Sequence, residues 1–306
     1  MSERYIFDIT DDHVDQRIDA YIRDCIPDLS RSYIQKLIKE ERVWVNDKVI
    51  TKPSFSLSAY DQIVFEVPDQ IMPDIKPENI PLDILYEDDE LMVINKPKGM
   101  VVHPAPGHYE GTLVNAIMYH CGDRLSGING VMRPGIVHRI DKDTSGSLLI
   151  CKSDFAHHSI ADQLKSHLPN RIYHAVVFGH MPEQEGTIDA PIGRDPKNRL
   201  KMAVVQGGKR AVTHYKVLKE YKGFSYIACK LETGRTHQIR VHMSHIGHPI
   251  VGDALYMKGQ KDPCKCEGQT LHAKTIGFTH PRTEAYMEFD TNLPEYFQKI
   301  LEIIEQ

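Results

Sequence analysis

The chain has 306 residues, 41% of them hydrophobic and 26% charged, which suits one large globular domain or two smaller ones. No apolar run approaches the roughly 18 residues that a membrane helix needs, and the charged stretch MSERYIFDITDDHVDQRIDAYIRD has no signal-peptide core, so a cytoplasmic protein without membrane contact is expected. A net charge of −5 excludes a uniformly basic nucleic-acid binder, and six scattered cysteines exclude a disulfide scaffold.

Ile18, Tyr21, Ile22 and Cys25 recur at i, i+3, i+4 and i+7 and predict a first helix, with Asp15 as its N-cap and Pro27 closing it. LSRSYIQKLIKEE predicts a second helix, capped by Ser30. It buries Ile34, Leu37 and Ile38 and turns Arg31, Lys36 and Lys39 outward. In RVWVNDKVI the pair Asn46-Asp47 between apolar residues predicts a type I′ hairpin, and DQIVFEV a further strand. Prolines at 68, 73, 77 and 81 predict a semi-rigid linker, because proline at that density continues neither a helix nor a central strand.

A larger domain begins near Leu82. DELMVINKPKGMVVHPAPG reads as a strand running into a Pro-Gly loop. TLVNAIMYH and FAHHSIADQLKSHL read as helices, the second burying Ala156, Ile160, Leu164 and Leu168. SLLIC, RIYHAVVFGH, AVTHYKVLKEY, FSYIACKLE and AYMEFD read as strands. Strands and helices do not alternate strictly, so the fold class expected is α+β, with a mixed, largely antiparallel sheet and flanking helices. From Ile192 to Lys219 eight basic residues accompany one acid, a local excess that suits a phosphate backbone as well as it suits a solvated hairpin. In LETGRTHQIRVHMSHIGHP the chain turns at Gly234 and a helix starts with Thr236 as cap. Ile239, Met243 and Ile246 form its apolar face; His237, Arg240 and Ser244 lie together on another.

The segment GIVHRIDKDTSGSLLIC holds the candidate chemistry: Asp141 and Asp143 in a polar loop before an apolar strand. A phosphatase-type Asp-x-Asp is disfavoured, because His138 and Arg139 break the apolar run that should precede it. A glycosidase pair is disfavoured, because the two aspartates are too close in sequence to face opposite sides of a sugar. Phosphate-binding glycine loops are absent. Seventeen histidines are spread along the chain, and His237, His242, His245 and His248 have no acidic neighbour in sequence, so they read as structural. Cys264-Lys265-Cys266 offers half a metal site with no second pair of matching spacing, and reads as two thiols on a surface loop. What is left is one aspartate acting as nucleophile. It must be both ionised and poorly solvated, a conflict that a buried cation resolves. Arg240 is a candidate for that cation, although its spacing suits a surface arginine equally.

Two resemblances sharpen this reading. Arg17-Ile18-Asp19, Ser30-Arg31-Ser32 and Val45-Asn46-Asp47-Lys48, in that order, resemble the S4-type RNA-binding domain. That family has Gly where Asp47 stands and Gly-Asp where this chain has Tyr60-Asp61. The resemblance implies RNA contacts at Arg17, Arg31, Lys36 and Lys48. HRIDKDTSG, RIYHAVVFG and GRTHQIRVHMSHIGHPIVGDALY, with NKPKGMVVHP and GTLVNAI, resemble the RluA-type pseudouridine synthases, nearest to those acting on large-subunit ribosomal RNA. That family has Leu where Ile140 stands. The likeness runs from about Asp12 to about Pro294.

The resemblance implies isomerisation of uridine within RNA, without metal, nucleotide or other cofactor. It makes Asp141 the essential carboxylate, pairs Arg240 with it and stacks Tyr173 on the base, where its hydroxyl helps take the C5 proton. It places Arg139 in the gap left by the flipped nucleotide and leaves His138 to shape the loop. The basic stretch, with Lys197, Arg199 and Lys201, becomes an RNA track. The expected organisation is an RNA-binding domain over 12–75, a linker over 76–81 and a catalytic domain over 82–306, in a monomer. A catalytically silent RNA-binding or assembly factor, and an enzyme acting on transfer RNA, are the alternatives.

Overall fold

A computed structural model describes residues 3–306 except 28, 69–74, 106, 107, 123, 129–132, 199, 258 and 263. It divides into two units, Met1–Pro73 and Asp74–Gln306.

In the first unit, strand β1 (Glu3–Asp8) is followed by helices α1 (Ile18–Cys25) and α2 (Arg31–Lys39), then β2 (Val43–Val45), β3 (Lys48–Val49) and β4 (Gln62–Val67). The strands form one antiparallel sheet in the order β1-β4-β2-β3. Ser30 caps α2 through the Tyr33 amide. Ile34, Leu37 and Ile38 pack with Ile18, Ile22, Ile63 and Phe65, each worth roughly 1.5–3 kcal/mol when taken fully from water. Asn46 and Asp47 take φ of 49° and 63°, the left-handed pair that a type I′ turn requires. Tyr60, where the resembled family has glycine, is itself left-handed (φ 66°), and Asp61 fixes the corner by accepting from the Ser58 amide and Asn46 Nδ2.

Two expectations change here. Asp15 does not cap α1: it turns at φ 64° and gives its amide to Leu57 O, and the helix begins after Arg17. β1 went unread because only Ile6 and its neighbours mark it, with no turn signal beside it. Its six residues nonetheless pair with β4 over their full length.

The stretch before the second unit's first strand lies against that unit. Ile75 is buried in its main core, Asn115 Nδ2 donates to Lys76 O, and the Gly111 amide donates to Glu78. Then come β5 (Ile84–Glu87), β6 (Leu91–Lys96), α3 (Leu113–Cys121), β7 (Ser145–Cys151), α4 (Asp154–Lys165), β8 (Asn170–Phe178) and β9 (Glu185–Asp189). After them come β10 (Ile192–Arg194), β11 (Met202–Val204), β12 (Val212–Tyr221), β13 (Phe224–Leu231), α5 (Gln238–His245), β14 (Leu271–Thr279), β15 (Tyr286–Asp290) and α6 (Glu295–Glu305). Among the described residues a nine-stranded sheet runs β5-β6-β7-β14-β8-β13-β12-β9, with β15 beside β14. Only β7 and β14 pair in parallel, so the sheet is mixed and largely antiparallel. β10 and β11 form a separate hairpin.

Helices cover both faces of the sheet. Met92, Ile94, Leu148 and Ile150 pack with α3 and α5, while Leu91, Val93, Leu149 and Cys151 pack with α4 on the other side. This explains why β7 is buried along its whole length. β7 and β14 approach so closely at Gly146 that a Cβ there would sit 2.2 Å from Ala273 O, at a φ of 111°. Thr112 caps α3 and Ser153 caps α4. Leu168 is not on α4, contrary to the periodic reading. The helix ends at Lys165, His167 turns to φ 59°, and Leu168 is 69% exposed. No helix among the described residues is long and apolar enough to cross a membrane.

Candidate active site

Asp141 lies in the loop that leads into β7, and three layers of contact hold that loop. Thr144 N–H closes a turn on Asp141 O, and Thr144 Oγ1 accepts from Gln269 Nε2 at 3.1 Å. Gly99 N–H donates to Lys142 O. Lys96 is fully buried, and its ammonium donates to the carbonyls of Pro97, Met100 and Lys142 at 2.8, 2.8 and 3.0 Å. Burial pushes the Lys96 pKa down to about 7, against the attraction of Asp143 and Asp141.

Arg240 comes from α5, with its guanidinium buried. Nη1 donates to Asp141 Oδ2 at 2.8 Å; Nε and Nη2 grip Asp253 at 2.7 and 2.9 Å. Burial alone would lower the Arg240 pKa, but the bonds to Asp253 and the charge of Asp141 raise it above the ordinary value. Asp253 is itself fixed, accepting from the Leu255 and Tyr256 amides. The helix does not start at Thr236. His237 stands in the N-cap position at φ 56°, the turn that aims its ring inward. His237 Nδ1 meets Tyr256 OH at 2.9 Å, and that hydroxyl accepts from Met202 N–H. His237 Nε2 lies 3.9 Å from Asp141 Oδ1. Burial lowers the His237 pKa, so the ring is neutral. The acidic neighbour that sequence spacing did not reveal thus comes from a distant loop.

These groups line one cavity of about 490 Å³ with Arg139, Tyr173, Arg171 and Leu271. Tyr173 sits on β8, 9% exposed, and burial raises its phenol pKa. Arg171, two residues earlier on the same face, donates through Nη2 to Glu232 O, while its buried Nε has no partner among the described residues. Arg139 is exposed at the rim, 3.3 Å from His103 Nε2. His138 accepts the Leu149 amide at Nε2, and burial drives its pKa down to about 3. A neutral imidazole that caps its own loop is what loop shaping requires.

The structure therefore brings Asp141, Arg240, Tyr173, Arg139 and His138 to one place. Four residues that sequence reading passed over join them or hold them: Arg171, His237, Asp253 and Lys96. All four lie inside the quoted motifs, Lys96 in NKPKGMVVHP and Asp253 in GRTHQIRVHMSHIGHPIVGDALY, so position in a motif was the available signal. The expected RNA contacts divide differently. Lys197 and Lys201 lie in the loop that joins β10 to β11, with Lys201 5.9 Å from the Tyr256 ring centroid; Arg199 lies outside the described residues. In the first unit Lys36 pairs with Glu40 and Lys48 is exposed. Arg17 and Arg31, both about half exposed, converge on the fully buried Asp19.

Comparison with known proteins adds the following. A family model described as RNA pseudouridylate synthase matches residues 90–245, and one for the S4 domain matches residues 16–63. A Bacillus subtilis protein named uncharacterized RNA pseudouridine synthase YlyB is 50% identical over 94% of this chain and 93% of its own length. Ribosomal large subunit pseudouridine synthase D of Zymomonas mobilis is 44% identical over 97% of this chain and 96% of its own. Among solved structures, human RNA pseudouridylate synthase domain containing 1 matches with a TM-score of 0.58 at 26% identity, over 70% of this chain and 84% of that one.

Proposed function

The chain belongs to the RNA pseudouridylate synthase family and carries an S4 domain, and on that footing we propose that it isomerises uridines of large-subunit ribosomal RNA, with Asp141 as the reacting carboxylate. The observation that carries the reading is the geometry of that carboxylate. Oδ2 is held by a guanidinium that Asp253 locks from behind, and among the described residues Oδ1 accepts no hydrogen bond. A carboxylate oriented by a fixed, buried guanidinium, with its other oxygen turned to the cavity, is what attack on carbon demands.

The reaction breaks the N1–C1′ bond, turns the uracil and joins its C5 to C1′. The C5 proton leaves and N1 takes one up, so no atom is gained or lost and no cofactor enters. Oδ1 has two routes: attack on C1′, or removal of the C2′ proton; in both, the Arg240 guanidinium holds the other oxygen. Tyr173 provides a buried ring to stack on the base. Its raised pKa keeps the phenol neutral, so it orients rather than deprotonates in the resting enzyme. Arg171 Nε–H and His237 Nε2 are hydrogen-bonding groups for the uracil carbonyls and the ribose. Extruding the nucleotide costs a few kcal/mol, and Arg139 at the rim is placed to occupy the gap. Lys197 and Lys201, with Arg199 between them in sequence, track phosphates, and Arg17, Arg31, Lys36 and Lys48 provide a second RNA contact. We assign the RNA-binding domain to the first unit, Met1–Pro73 with β1 included, and the catalytic domain to the second, Asp74–Gln306, in a cytoplasmic monomer; the expected bounds of 12–75 and 76–81 shift because β1 pairs with β4 and Ile75 is buried in the second unit.

The test uses the full chain with unmodified large-subunit ribosomal RNA in the presence of a chelator, followed by pseudouridine mapping. Product is expected with the native chain and none with Asp141→Asn, which still binds RNA. Binding without product from any ribosomal or transfer RNA would establish the assembly-factor alternative. Product on transfer RNA alone would correct the substrate.

A further inference from the structure

Sequence spacing gave Cys264 and Cys266 no partners. The structure supplies one. Asp262, Cys264 and Cys266 bring their donor atoms within 4.8 Å of one another. Among the described residues no other three His, Cys, Asp or Glu side chains come as close. We propose that this loop binds one divalent cation of borderline softness, Zn²⁺ above all, as a structural clip separate from the catalytic carboxylate.

The donor set fits the ion. Two thiolates and a carboxylate suit Zn²⁺ and disfavour Mg²⁺ or Ca²⁺, which take oxygen ligands. Zn²⁺ with sulfur at about 2.3 Å and oxygen at about 2.0–2.2 Å spaces its donors about 3.5–3.8 Å apart. The three atoms thus need only small side-chain rotations to close on it. The backbone is already folded for this: Asp262 Oδ1 accepts the Cys264 amide and Oδ2 the Cys266 amide, which turns both cysteines back toward the carboxylate. Both cysteine side chains pack beside an apolar cluster that includes Val251, Phe297 and Ile300, a dry wall of the kind that strengthens metal–thiolate bonds. The fourth position falls to water, or to Glu267, which with both cysteines lines a second cavity. The filled site carries one net negative charge with water and two with Glu267, and Lys98 on that cavity's wall is an ammonium to offset it.

The consequence reaches the active site. The loop ends at Gly268, whose carbonyl accepts from Lys98 and whose Cα lies against Asp143; a Cβ there would stand 2.7 Å from the Asp143 side chain. Gln269 then bonds Thr144. A clip on Cys264 and Cys266 stiffens the strap that backs the Asp141 loop, without touching substrate.

The experiment takes the reduced, chelator-stripped full chain and titrates it with Zn²⁺ alone against a colorimetric chelator, and with Co²⁺ alone by absorption. Expected are one equivalent of Zn²⁺, thiolate-to-Co²⁺ charge-transfer bands, and a higher Tm with Zn²⁺. The Cys264→Ser/Cys266→Ser variant should lose all three, and Asp262→Asn should weaken the first. Mass-spectrometric mapping of iodoacetamide labelling at Cys264 and Cys266, with and without Zn²⁺, gives a readout on the native chain even if the variants fold poorly. Zn²⁺ should protect both. Equal labelling, a Co²⁺ spectrum without thiolate bands, or variants that bind Zn²⁺ like the native chain would overturn the site. None of these readouts depends on pseudouridine formation.

Discussion

Arg240 and Asp141 share a single hydrogen bond of 2.8 Å, although an arginine can offer a carboxylate two. The two-pronged grip is spent on Asp253 instead. The guanidinium is thus anchored from one side and applied from the other. That division of labour leaves one oxygen of Asp141 without a hydrogen-bond donor among the described residues and keeps its partner from following it when the substrate arrives.

Asp253→Asn should therefore act through position. It keeps the shape but gives Arg240 a neutral partner, and an end-on contact that drifts by an ångström costs on the order of 10²-fold in rate. We expect single-turnover pseudouridine formation to fall about 10- to 100-fold with RNA affinity little changed. Asp253→Glu should recover part of the rate. A variant that lost affinity and kept its rate would mean that Asp253 only supports the fold.

How much of this was readable beforehand follows from what kind of signal each piece leaves. Helices α1 to α4 and the Asn46-Asp47 hairpin announce themselves through spacing and local turn chemistry and stand close to where expected, whereas α6 went unread. β14, the central partner of both β7 and β8, shows no alternation, because helices cover both its faces and Gly277 sits inside it. Asp141 and Arg240 carry no mutual sequence signal across 99 positions, and only motif resemblance joined them. Asp262 stands two residues from Cys264, and what brings its carboxylate to both cysteines is a backbone turn that spacing does not encode.

A second prediction concerns acid. Burial drives the imidazoles of His103, His174 and His272 down to about 4 and that of His138 to about 3, with nearby cations (Arg139, Lys274, Arg171) adding to the effect. A depressed folded pKa means that the unfolded chain, titrating near 6.5, binds more protons between those values. Stability is then full above about pH 6.5 and lost as pH falls toward 4. Denaturant unfolding of the second unit should shift to lower midpoints between pH 7 and 5, and His272→Asn should flatten the dependence. Midpoints independent of pH over that range would refute it.

Salt titration of RNA binding tests the basic hairpin. If Lys197 and Lys201 each meet a phosphate, replacing both with alanine should weaken binding and reduce the slope of log K against log salt by about 1.4–1.8. Pseudouridine yield at saturating enzyme should persist, because neither residue lines the cavity. An unchanged slope would remove the hairpin from the RNA path.

The last prediction separates two jobs for the arginines of the first unit. Asp19 is fully buried and bonded to Arg17, Arg31 and Gln35. Burial would raise its pKa, but those three bonds outweigh it and hold the carboxyl well below the usual range. The linkage sign is the acidic one: Asp19 contributes stability above its ordinary pKa, near 4, and loses it as pH drops further. Asp19→Asn should cost about 3 kcal/mol, the lower end for a broken buried pair, because both arginines stay half solvated. Arg17→Lys is the informative companion. Lysine keeps the charge but cannot form the fork, so stability should fall while RNA affinity at low salt stays close to native. If affinity fell and stability did not, Arg17 would be an RNA contact first, and Asp19 only the group that orients it.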